Sequence, residues 1–297
     1  MKRRHTIVVA MLLAGTTLVG CNTDGGDAGA PEARQDDEAE ASPQRIDIAA
    51  LDYSFEVPDT IDSGLVQFDF VNRGQEPHFF GLAKIAEGHT LEEVMAALTG
   101  PPPPPGVAPA APPPFEDWGG IATSDPGVSG EVAFDIPAGG YVFYCLVPSP
   151  DGESHAAKGM VKEITVTEST GAAASLPEAE EVMVATDFAF NRAPTLTEGS
   201  NEFRIRNDGR QLHEINLFEI AADQTIEDVV EWHGEMAGPP PGRFLGGVAV
   251  APGEEGSTTL DIAPGRTYVF ICAIPDVLGD FAPHVTKGMH TEALSVS

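Results

Sequence analysis

The chain has 297 residues, 42% of them hydrophobic, which is enough for two ordinary domains with buried cores and excludes a chain disordered throughout. It carries 16 Lys and Arg against 46 Asp and Glu, a formal net charge of -30, so its surface repels nucleic acid and anionic lipid and suits cationic partners. Adaptation of the surface to high salt would give the same balance.

Residues 1–20 open with Lys2, Arg3 and Arg4 and continue into an apolar run from Thr6 to Val19. A positive start followed by a short apolar core reads as an export signal and is too short for a spanning helix. It ends in Leu18-Val19-Gly20-Cys21, which resembles the lipoprotein box of bacteria. The resemblance implies that Cys21 is lipidated and becomes the first residue of an exported chain, anchored to the membrane and facing the periplasm or the cell exterior. A plain secretory signal with an incidental cysteine is the alternative. Residues 21–44 are rich in Gly, Ala, Pro and acid, without apolar periodicity, and are expected to form a disordered acidic tether.

From residue 45 onward the sequence repeats itself, which predicts one domain over 45–168, a linker over 169–180 and a second domain over 181–297. In the first copy Val66, Phe68 and Phe70 alternate with polar residues, as do Val132, Phe134 and Ile136. This period of two predicts short strands, punctuated by turns such as Pro137-Ala138-Gly139-Gly140. Thr90-Leu91-Glu92-Glu93 has the form of a helix-capping box, and Gly100-Pro101 a helix stop. The run PPPPPGVAPAAPPP over 101–114 is expected to be a stiff polyproline loop. The second copy repeats the strand pattern, the capping box at Thr225-Ile226-Glu227-Asp228 and a stop at Gly238-Pro239. The expected fold is all-β: two tandem sandwiches, each with one short inserted helix.

Two stretches carry the chemistry. YCLVPSPDGESHAAKGM ends the first copy's aromatic run, and ICAIPDVLGDFAPHVTKGM ends the second's. Each sets Cys, His and Met on one loop: Cys145, His155 and Met160, then Cys272, His284 and Met289. A further histidine lies upstream in each copy, His78 and His213, 135 residues apart. With Cys21 spent on lipid, Cys145 and Cys272 remain, at equivalent places in separate halves and poorly placed to form a disulfide. One thiolate, two imidazoles and a weak thioether suit an ion that cycles between Cu(I) and Cu(II). A His2Cys set would also accept Zn(II), and the methionine favours copper.

Here the chain resembles the cupredoxins, the blue type 1 copper family. Its C-x9-H-x4-M and C-x11-H-x4-M loops are closest to the type 1 loop of copper nitrite reductases, and Asn72-x-Gly74 and Asn207-x-Gly209 before the upstream histidines are also cupredoxin-like. The resemblance covers roughly residues 45–297. It implies a Greek-key sandwich in each half and one type 1 copper per domain, held by His78, Cys145, His155 and Met160 and by His213, Cys272, His284 and Met289. It also implies that the backbone N–H after each upstream histidine, on Phe79 and Glu214, donates to the thiolate. Glu214 would place a carboxylate near the second copper, and a lower potential is expected there. His155 and His284 are the expected electron ports.

Nitrite reductases and multicopper oxidases place histidine beside the type 1 cysteine, whereas here the neighbours are Tyr144 and Leu146, and Ile271 and Ala273. His5, His89, His233 and His290 are scattered and are expected at the surface. The leading functional expectation is therefore a single-electron carrier between redox proteins, not an enzyme. Copper storage or delivery, and a metal-free cupredoxin-like binding module, are the alternatives.

Overall fold

In a computed structural model the described residues are 42–100, 111–171, 173–176 and 181–296. The export signal with Cys21, nearly all of the acidic tether, most of the proline-rich run and part of the linker lie outside them. The first half is built from β1 (Gln44–Leu51), β2 (Ser54–Glu56), β3 (Thr60–Asp62), β4 (Gly64–Asn72), β5 (His78–Ile85), α1 (Leu91–Thr99), β6 (Phe115–Ser124), β7 (Ser129–Ile136), β8 (Gly139–Tyr144) and β9 (Val161–Thr167). The second half holds β10 (Val182–Thr186), β11 (Ala189–Phe190), β12 (Gly199–Asn207), β13 (His213–Ile220), α2 (Ile226–Glu235), β14 (Gly242–Val250), β15 (Glu255–Ile262), β16 (Arg266–Ile271), a 3-10 turn at His284–Lys287 and β17 (Leu294–Val296).

Two sheets run through both halves, in the orders β11-β10-β12-β15-β7-β4-β1-β2 and β17-β16-β13-β14-β6-β5-β8-β9-β3. Successive strands switch sheets at β4 to β5, β6 to β7 and β7 to β8, the crossovers of a Greek key. The alternation read from the sequence sets which face is inside. Phe68 of β4 meets Phe80 of β5 at 5.2 Å between ring centroids, and Phe80 meets Phe143 of β8 at 5.0 Å. Phe68 also meets Phe143 at 5.9 Å, and their counterparts Phe203 and Phe270 meet at 5.1 Å. Each ring stabilises the sandwich by about 1.5–3 kcal/mol through burial, and each edge-to-face pair adds about 0.5–1.5 kcal/mol.

The halves meet strand to strand. β6 pairs antiparallel with β14 and centres on Ile121 opposite Val248, while β7 pairs with β15 and centres on Val132 opposite Thr258. These are equivalent positions of the two copies, so the halves relate as the protomers of a two-fold dimer would. Close backbone approach at this seam requires glycine: a Cβ on Gly119 would lie 2.6 Å from the Ala249 carbonyl oxygen of the other half. Inside each half the same strands are as tightly set, since a Cβ on Gly120 would lie 1.9 Å from the Phe80 carbonyl oxygen and one on Gly247 1.8 Å from that of Ile215.

Both helices begin at their capping boxes: the hydroxyl of Thr90 accepts from the Glu93 N–H and that of Thr225 accepts from the Asp228 N–H. α1 packs Val94 and Leu98 against Val142 and Tyr144, next to Cys145. α2 packs Val229 against Val285 of the 3-10 turn and so braces the second Cys–His loop. α1 stops at Gly100, as its Gly-Pro sequence predicts. α2 stops earlier than expected, at Met236, whose left-handed backbone (φ 49°) lets its N–H reach the Trp232 carbonyl before Gly238 is reached.

Candidate metal centre

Each centre is assembled from the end of one strand, the start of the next and one long loop. In the first half the side-chain amide of Asn72, at the end of β4, donates to the carbonyls of Glu76 and Ser124 and its oxygen accepts from the Gly74 N–H. That folds the Asn-x-Gly segment back so that His78, the first residue of β5, points inward. Glycine is needed because a Cβ at position 74 would lie 2.5 Å from both His78 Nε2 and Asp52 Oδ1. The Cys loop closes on itself: Cys145 N–H donates to the Met160 carbonyl (3.2 Å), Ala156 N–H to Cys145 (2.7 Å) and His155 N–H to Val147 (2.9 Å). Asn207, Gly209 and the loop from Cys272 to Met289 repeat these bonds in the second half.

The result is a convergence of three donor atoms in each half. In the first, His78 Nδ1 and His155 Nδ1 are 2.9 Å apart and lie 4.0 and 3.5 Å from Cys145 Sγ. In the second, His213 Nδ1 and His284 Nδ1 lie 3.9 and 3.4 Å from Cys272 Sγ. All six side chains are buried, and within each trio the donor atoms lie within 4.8 Å of one another. Met160 and Met289 are fully buried and tied by their backbone carbonyls to the cysteines.

Carboxylates hold the outer edges of the rings. Asp52 Oδ1 lies 3.1 Å from His78 Nε2, and Asp187 Oδ1 lies 3.2 Å from His213 Nε2. Glu76 Oε2 lies 2.9 Å from His155 Nε2, and Glu76 also accepts from the Tyr53 hydroxyl. An acceptor at Nε2 puts the ring proton there and leaves Nδ1 as a free electron pair for a metal. His284 Nε2 is buried without an acceptor among the described residues. The three carboxylates escaped the expectations drawn from sequence. The signal was present for two of them, because Asp52-Tyr53 and Asp187-Phe188 occupy the same place in the two copies.

Burial dominates the titration of the donors. It pushes the Cys145 thiol up to about 12 and raises the Cys272 thiol as well, where the Glu214 carboxylate adds to the effect; the Phe79 and Val147 N–H groups oppose it at Cys145 and those of Glu214 and Ile274 at Cys272. Burial also lowers His78 and His213 and takes His284 to about 4, where the neighbouring His213 adds to the effect. Burial therefore favours the neutral form of both thiols and of the His78, His213 and His284 rings. The Glu214 carboxyl, raised to about 7 by burial, accepts from the Ala273 N–H at 2.9 Å.

Two expectations are corrected. His233 is not at the surface: it is 3% exposed, donates from Nδ1 to the Val229 carbonyl and sits among Phe218, Trp232 and Phe244, because its position on α2 faces the sheet. His155 and His284 are not themselves open to solvent; Tyr53 and Phe188 stand edge-on over them at 5.3 and 5.2 Å, half-buried, with Lys158 and Lys287 over the outer ring faces. His89 is at the surface beside Glu93, His290 is half-buried, and His5 lies outside the described residues.

Soft sulfur with two Nδ1 donors, pre-oriented from behind and closed to water, is the donor set of a type 1 copper ion. Each half is a cupredoxin-like β-sandwich. Among solved structures the chain is similar to reduced auracyanin from the photosynthetic bacterium Roseiflexus castenholzii (26% identity, 43% of this chain and 99% of that one, TM-score 0.27). It is also similar to auracyanin A, a blue copper protein from Chloroflexus aurantiacus (21%, 42% and 100%, TM-score 0.29), and to a copper-containing nitrite reductase from Thermus scotoductus (10%, 86% and 62%, TM-score 0.24). With TM-scores this low, the cupredoxin-like fold stands on strand order and ligand geometry. No protein-family model and no curated protein matches the chain.

Proposed function

We propose that this chain is an exported, lipid-anchored, two-centre type 1 copper protein that carries single electrons between extracytoplasmic redox partners. The observation that carries the reading is the buried convergence of one thiol and two Nδ1 atoms in each half. Bound copper would supply a one-electron couple between Cu(I) and Cu(II). Cys145, His78 and His155 would hold it in the first half and Cys272, His213 and His284 in the second, with the thioethers of Met160 and Met289 as the fourth donors.

The residues around these donors favour electron transfer over exchange of the metal. Loop hydrogen bonds and carboxylate-anchored rings fix the donors before metal arrives, so little rearrangement accompanies a change of oxidation state. Full burial of every donor opposes a delivery role, which requires ready access. Tyr53 and Phe188 form the aromatic cover through which an electron reaches the surface. Among the described residues only the two His–Cys–His trios form such a cluster, and His89, His233 and His290 lie apart from them, which supports a carrier. Membrane attachment is assigned to lipid on Cys21, on the lipoprotein-box resemblance of Leu18-Val19-Gly20-Cys21.

Adding Cu(II) to the purified chain from residue 21 onward tests the reading. Intense blue or green colour is expected, reduced by about half in Cys145→Ser or Cys272→Ser and absent in the double variant. A colourless protein, or colour indifferent to both cysteines, would refute it. Cys21→Ser is expected to release the protein from the membrane fraction, and partner reduction rates are expected to fall with salt if the partners are cationic.

A further inference from the structure

The two centres are not electrostatic copies of each other, and the difference lies in one exchanged acid. Glu76 and Gln211 are equivalent residues two positions before the upstream histidines, and Ser149 and Asp276 are equivalent residues four positions after the cysteines. In the first half the acid stands on the upstream segment. Its Oε2 lies 2.9 Å from His155 Nε2, and Tyr53, within 3.3 Å of the Ser149 hydroxyl, donates to its other oxygen. In the second half the acid stands on the Cys loop. Asp276 there accepts from Gln211 Nε2 at 2.9 Å and pairs with Lys287 at 2.5 Å. Gln211 also accepts from the Leu278 N–H, so its amide is turned away and the buried His284 Nε2 has no acceptor among the described residues.

The second imidazole of each centre repeats the contrast. Among the described residues no cationic side chain pairs with Asp52, which faces His78, whereas Asp187, which faces His213, is paired with the Arg210 guanidinium at 2.8 Å. Glu214, the residue that sequence alone marks as lowering the second potential, is buried on the Ala273 N–H beside Cys272 and bears on that sulfur, but it bonds to neither imidazole. A carboxylate bonded to a ligand imidazole makes it a stronger donor and favours the more highly charged metal state.

We infer that Glu76 and Gln211 set the two centres at different potentials, the first lower than the second, so that in the half-reduced protein the electron resides in the second half. This rests on the two-copper reading. The transfer is one electron from the reduced first centre to the oxidised second, with no bond made or broken and no proton moved. Glu76 acts through His155 and is a positioning residue.

The test is redox titration, followed by visible absorption, of the full exported chain carrying one centre at a time. Cys272→Ser leaves the first centre and Cys145→Ser the second. The first is expected to titrate at the lower potential, with an electron shared between them favouring the second roughly tenfold or more, the order of replacing a charged by a neutral acceptor. Glu76→Gln in the first-centre chain is expected to raise its midpoint toward the second while copper and colour are retained. Gln211→Glu in the second-centre chain is expected to lower its midpoint; should the added acid beside Asp276 prevent folding, Glu76→Gln alone decides. Equal or reversed midpoints, or a first centre unmoved by Glu76→Gln, would overturn the inference while leaving two bound coppers intact. A chain that binds no copper would remove the inference together with the reading beneath it.

Discussion

Position 74 shows how closely the ligands are seated, because even one methyl group there has no room beside His78 Nε2 and Asp52. Gly74→Ala is expected to weaken copper binding at the first centre by about 10–100-fold, the range typical of disturbing a group behind a ligand, while the second centre keeps its copper. Copper titration of the variant checks this, and equal loss at both centres would contradict it. The low histidine values have a consequence for the metal-free protein. His284 sits at about 4 when folded and near the usual value of 6.5 when unfolded. As pH falls from 6.5 toward 4 the unfolded chain takes up protons that the folded chain refuses, and stability is lost. Relief of repulsion among the many acids acts the other way, and it acts equally in a His284→Asn variant. The urea midpoint of the metal-free wild type is therefore expected to drop more between pH 7.5 and 5.5 than that of the variant, and parallel behaviour would count against it.

At the scale of elements, local chemistry was legible in the sequence wherever it repeats. Both capping boxes, the period of two in β4 and the Cys, His, Met order of each loop were readable because short spacings fix them; the upstream histidines, 67 and 59 residues before the cysteines, were readable because the repeat marks them. Thr90→Ala and Thr225→Ala are each expected to cost about 1 kcal/mol, read from urea unfolding, and no change would show that packing alone sets these helix starts. What was not legible depends on contacts between segments far apart in the chain. Asp52 and Glu76 become ring anchors only once β1, β4 and the Cys loop come together. His233 looked like a surface residue because its helix carries acid on most sides, and only the sheet below α2 makes it core. The burial of His155 under Tyr53 was hidden for the same reason, since no spacing rule reports what covers a loop.

At the scale of the molecule, the repeat was plain in the sequence, but the way its copies join was not, since antiparallel pairing of β6 with β14 and β7 with β15 leaves no motif. One hydrophobic cluster contains Phe68 and Phe143 of the first half and Phe203 and Phe270 of the second. The halves are accordingly expected to unfold in a single transition, with loss of colour at both centres coinciding with loss of the far-ultraviolet sheet signal. Two separate steps would show that the shared strands contribute little.

Copper-edge X-ray absorption on the loaded chain from residue 21 onward addresses the paired centres most directly. About two coppers per chain, each with one short sulfur and about two nitrogen ligands, is the predicted result. Coppers surrounded by oxygen and nitrogen alone, or a spectrum unchanged when both Cys145 and Cys272 are replaced by serine, would contradict it.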